Sequence, residues 1–173
     1  MTRDNGKSVL MILAHNNFRD EEYTATRQKL ENNGAKITVA STIKNGATGS
    51  QGLKLNPDVL IDEVNANDYD VVVFIGGSGA SQYWHDMKAH EIARTAVKNG
   101  KILAASSHAP VTLAVAGVLH GKKATGHVTI YEKLSVKGVN YTGRKLEKDR
   151  NIITSSGANA AKEFAEALAQ AIN

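Results

Sequence analysis

Five apolar runs limit how this chain can fold: Val9–Ala14, Ile37–Ala40, Val71–Ile75, Ile102–Ala105 and the weaker Ile152–Thr154. The best of them are continuous rather than alternating, so their side chains are expected to be buried on both faces. Strands of that kind belong to a parallel sheet covered by helices on each side. The segments between them supply the helices. Asp20 to Asn33 is rich in helix formers and closes with Gly34, while Ala89, Ile92, Ala93 and Ala96 share one helical face before Gly100. Towards the carboxyl end, Ala161, Phe164, Ala165, Leu168 and Ile172 make an apolar stripe opposite Lys162, Glu163 and Glu166. Strand and helix signals alternate without an internal repeat. This predicts an α/β fold, a flavodoxin-like three-layer α/β/α sandwich with a mostly parallel central sheet, as one domain over residues 1–173. Ligands of such sheets bind beyond the carboxyl ends of the strands, where the loops after Ala14, Ile75, Ala105 and Thr154 would converge.

The segment from Ile102 to Leu113 reads as strand, tight turn and helix, with small residues around Ser107 and Pro110 at an early helical position. A turn of this kind lifts one side chain above the sheet edge, beside the free N–H groups of the following helix. The alternative is that Ser106-Ser107 caps that helix. At this point the chain resembles a known family. The stretch is similar to the Ala-x-Cys-His-Gly-Pro elbow of the ThiJ/PfpI superfamily, which includes intracellular proteases and the Parkinson-disease-associated deglycase. Ser107 stands in the cysteine's place and Ala109 in the glycine's.

The resemblance runs over nearly the whole chain. Phe18-Arg19-Asp20-Glu21-Glu22 resembles the acidic segment that opens the first helix of PfpI-like proteins, which implies a site role for Glu22, with Arg19 departing from the pattern. Asp68 through Gly76-Gly77 is similar to the family's third strand and double-glycine turn. The likeness implies that the Gly77 region and the His108 N–H form an oxyanion pocket and that Gly76 and Gly77 bind ligand. Gly117 to Thr125 resembles a further family stretch, after which His127 falls where some relatives carry a histidine near the nucleophile. Ile153 to Gly157 resembles the turn before the last helix, with Ser156 replacing an arginine.

The chain has no cysteine, so thiol chemistry, disulfides and cysteine-ligated metal are excluded. A serine hydroxyl needs a base within hydrogen-bonding distance, for which His108, His127 and Glu22 are the candidates. Three readings follow. In the first, the family pocket persists around Ser107, Glu22 and His127 without thiol-dependent glyoxalase, deglycase or protease activity, and takes a small-molecule or peptide ligand. In the second, Ser107 with His108 as base makes a serine-dependent hydrolase or amidase. In the third, Ser107 is an engineered replacement for cysteine in a thiol enzyme.

The six histidines show no zinc spacing, and the glycines match neither a dinucleotide nor a phosphate-loop motif, so neither metal nor cofactor is expected. A net charge of +4 is concentrated partly in Lys137 to Arg150. Glu147 and Asp149 interrupt that stretch and no aromatic ladder interleaves it, so it reads as a solvated face rather than a nucleic-acid site. No apolar run approaches the roughly 20 residues of a membrane helix. The amino terminus lacks the pattern of an export signal, which points to the cytoplasm. The family resemblance implies a homodimer or larger ring.

Overall fold

The apolar runs become inner strands of one seven-stranded sheet in the computed structural model, which describes residues 5–173. In chain order its strands are β1 (Ser8–Ile12), β2 (Lys36–Ser41), β3 (Val59–Leu60), β4 (Val71–Phe74), β5 (Ile102–Ser106), β6 (Leu146–Asp149) and β7 (Ile152–Ser155). Across the sheet the order is β6-β7-β5-β4-β1-β2-β3, and every pairing is parallel except β6 with β7. The fold is the flavodoxin-like sandwich that the patterning predicts.

Successive side chains of each strand face opposite layers. Val9 and Met11 pack into a core that includes Leu30, Phe164 and Leu168, on the side of helices α1 (Asp20–Asn32) and α4 (Ala161–Ala171). Leu10 and Ile12 face the other core with Ile92, Ala96 and Leu113, from α2 (Met87–Lys98) and α3 (Pro110–Val115). All four β1 residues are fully buried, which explains the continuous run.

The runs overshoot the strands at their carboxyl ends. Leu13, Ala14 and Ile75 lie past the ladders yet remain buried in the loops above the sheet. Apolar continuity therefore marks burial rather than strand length. The charged stretch near the carboxyl end is also more than a solvated face. Its Leu146–Asp149 segment is the antiparallel edge strand, with Glu147 buried and 3.7 Å from Arg144. In a small additional sheet, Asn16–Phe18 on the path from β1 into α1 pairs with Ala47–Gly49, which pairs with Lys54–Leu55. Among the described residues no helix is long and apolar enough to cross a membrane.

Candidate functional site

The turn after β5 carries the backbone signature of an elbow. Ser107 has φ of +45°, a left-handed conformation that costs a non-glycine residue roughly 1–2 kcal/mol. Both its backbone groups are held. Its N–H donates to the Ser155 carbonyl at 3.0 Å, and its own carbonyl accepts from the His127 N–H at 2.8 Å. Ala109, which stands where the resembling motif has glycine, has φ of −69°, so alanine sits there without strain.

The two serine side chains turn away from helix capping, and α3 begins without any side-chain cap. Ser106 Oγ accepts from the Gly76 N–H at 2.9 Å, and Ser107 Oγ accepts from the Gly77 N–H at 2.8 Å. Ser107 Oγ also donates to Glu22 Oε1 at 3.0 Å. Consecutive hydroxyls thus meet consecutive amides across two loops, a packing that leaves no room for side chains at the glycine turn. A Cβ on Gly76 would lie 1.9 Å from Ser107 Oγ, and one on Gly77, whose φ is +101°, would lie 2.5 Å from the Arg19 nitrogen. That close approach also brings in the first helix, because the Arg19 N–H donates to the Gly76 carbonyl at 2.9 Å and fixes where α1 starts. Glu22 then projects over the elbow.

Glu22 is only 2% exposed. Burial pushes its carboxyl pKa up, outweighing the hydrogen bonds of Ser106, Ser107 and Gly76 and the charge of Arg19, which all favour ionisation. The site therefore favours the neutral acid more than water does.

The imidazoles occupy another wall. His108 and His127 stack with ring centroids 4.3 Å apart and planes inclined by 20°. Thr129 Oγ1 lies 2.7 Å from His127 Nδ1 and 3.5 Å from His108 Nε2. Partial burial, and secondarily the neighbouring His127, lower the His108 pKa. Among the described residues neither ring hydrogen-bonds to Ser107 Oγ, whose proton goes to Glu22. The Gly77 N–H, assigned by resemblance to an oxyanion pocket, is occupied by the Ser107 side chain itself.

All six candidate residues, Ser107, His108, Glu22, Gly76, Gly77 and His127, gather at this one place. All but Gly76 line a cavity of about 400 Å³, completed by Arg19 and by the turn from Ser156 to Asn159. Sequence patterning offers Ser106 only as a helix cap and Arg19 only as a departure from the resembling motif, and gives no sign of Thr129. The Ser106–Gly76 bond joins residues 30 apart, which no local pattern reveals. Among the described residues no three imidazole or carboxylate groups come together as a metal site.

Residues 7–171 match the model of the DJ-1/PfpI family. An uncharacterised protein of Methanocaldococcus jannaschii is 36% identical over 98% of this chain and 85% of its own length. Deglycase PfpI of Pyrococcus furiosus is 33% identical over 84% of this chain and 88% of its own. In three dimensions, the ThiJ/PfpI domain protein of Brachyspira murdochii superposes with a TM-score of 0.93 at 30% identity, covering 99% of this chain and 98% of the other.

Proposed function

Since the chain belongs to the DJ-1/PfpI family, we propose that it keeps the family pocket as a binding site for a small molecule or peptide end and lacks the thiol-dependent turnover of its relatives. The observation that carries this reading is the state of the Ser107 hydroxyl. It is engaged by the Gly77 N–H and by Glu22, and both imidazoles are turned to Thr129. A serine becomes a nucleophile only when a base removes its proton. The group at that proton is Glu22, a carboxyl whose pKa burial raises, and among the described residues no imidazole reaches the hydroxyl to serve as its base. The same reading includes self-association into a homodimer or larger homo-oligomer, which light scattering at the mass of a single chain would remove.

The test is turnover by the purified protein. It is expected to leave glyoxal, glycated amines and peptides unchanged and to resist a fluorophosphonate, whereas Ser107→Cys should gain glyoxal consumption, because a thiol is partly ionised near neutral pH. Wild-type turnover that Ser107→Ala abolishes would overturn the proposal in favour of a serine hydrolase. The Ser107–Glu22 bond makes Glu22, rather than His108, the first base to examine in that event.

A further inference from the structure

Two of the residues that line the cavity each bury a polar nitrogen that no other described residue satisfies. Arg19 Nε and His108 Nδ1 are both enclosed and without a hydrogen-bond partner, and both residues line the cavity around Ser107. The other buried side-chain atoms lacking partners among the described residues are hydroxyls of Thr26, Ser41, Thr112 and Ser155, none of which lines it. Two lining residues that each bury an unsatisfied nitrogen are what a site looks like when a ligand, on reorienting them, supplies the missing partners.

The charges define that ligand. Among the described residues Arg19 is the only lysine or arginine in the lining, and Glu22 the only carboxyl group. Burial raises the Glu22 pKa, which lessens the charge that an incoming anion meets there. Among the described residues the Arg19 guanidinium is meanwhile held by one hydrogen bond, from its Nη2 to Glu21 Oε1 at 2.8 Å, with side chains 36% and 49% exposed. Exposed ion pairs of this kind contribute little, whereas an enclosed N–H without an acceptor is costly. Releasing Glu21 therefore frees the guanidinium fork to meet a carboxylate with two parallel N–H groups, Nε among them.

We propose that the cavity binds a small carboxylate whose carboxylate group is held by Arg19 and whose remaining polar atoms face Ser107 and His108. This rests on the pocket reading above and names the chemical class that the pocket accepts. A volume of about 400 Å³ suits a molecule of a few carbons, at the small end of ligand sites.

Pyruvate and its neutral counterpart pyruvamide separate the possibilities when titrated into the full chain by calorimetry or NMR. The wild type is expected to bind pyruvate the more tightly. Arg19→Gln should weaken pyruvate by about tenfold or more, the effect of losing a charged hydrogen bond, and leave pyruvamide unchanged. Glu21→Gln, which keeps the guanidinium and removes its competitor, should tighten pyruvate and serves as the second variant should Arg19→Gln fail to fold. Equal pyruvate affinity in Arg19→Gln, or weakened affinity in Glu21→Gln, overturns the inference. Binding of pyruvamide alone overturns it and spares the pocket reading, while binding of neither compound overturns both.

Discussion

Gly76→Ala is expected to destabilise the fold by at least about 3 kcal/mol and to lower its melting temperature by roughly 6–12 °C. The added methyl would lie 1.9 Å from Ser107 Oγ, 2.2 Å from the Ser106 carbonyl oxygen and 2.6 Å from Glu22 Oε1. One of the three is main chain, and the other two belong to buried side chains hydrogen-bonded to each other, so none can swing aside freely. Making room separates the two loops and breaks the Gly76–Ser106 and Gly77–Ser107 bonds, each worth roughly 1 kcal/mol. Gly46→Ala supplies the control. Gly46 has φ of +77° with open space around its Cβ position, so alanine there carries only backbone strain of about 1–2 kcal/mol. Thermal unfolding of both variants decides the matter. A Gly76→Ala protein melting within about 2 °C of wild type would mean that the glycine turn does not press on the elbow as described.

Glu22→Ala should destabilise the protein by about 2–4 kcal/mol, since it opens a cavity and removes the partner of a buried hydroxyl. Glu22→Gln, of the same shape and permanently neutral, behaves differently because its effect depends on pH. The folded-state pKa of Glu22 lies above the reference value of 4.5. In the unfolded chain the group ionises near that reference, so the preference of the fold for the neutral acid stabilises fully below it. That contribution fades as pH rises through the folded value. His108 acts in the opposite sense. Its lowered pKa gives stability that is present above its unfolded value and lost as pH falls, and it is common to both proteins. The difference between wild type and Glu22→Gln in denaturant unfolding therefore isolates Glu22. Relative to the variant, the wild type should be favoured most below the reference value of 4.5 and lose ground as pH rises above it. Parallel pH profiles for the two proteins would show that the carboxyl group is not a buried, neutral-leaning acid.

The layered architecture was legible because burial on both faces forces unbroken apolar strands, and those strands could be read directly from runs such as Val71–Ile75. The two edge strands could not. Val59–Leu60 is too short to show a period, and Leu146–Asp149 is polar because one of its flanks has no neighbour in the sheet. The six candidate residues converge as the resemblance implies, because strand ends of a parallel sheet deliver their loops to one rim. The geometry within that rim was hidden. It depends on a positive φ at Ser107 and on hydrogen bonds that join the elbow to the glycine turn 30 residues away and to the first helix 85 residues away, and such pairings leave no periodic trace. The enclosed Arg19 Nε was equally invisible, since a lone arginine at a helix start reads as solvated surface.

The sheet's two margins carry one further consequence. On one side it ends in a two-residue strand preceded by Pro57 and Asp58, and on the other in a strand that bears Lys148 in the open. Neither border offers a long, flat row of free amides and carbonyls for another copy to zip onto. The main sheet's margins are therefore poor templates for lateral strand addition by another copy while the fold stands.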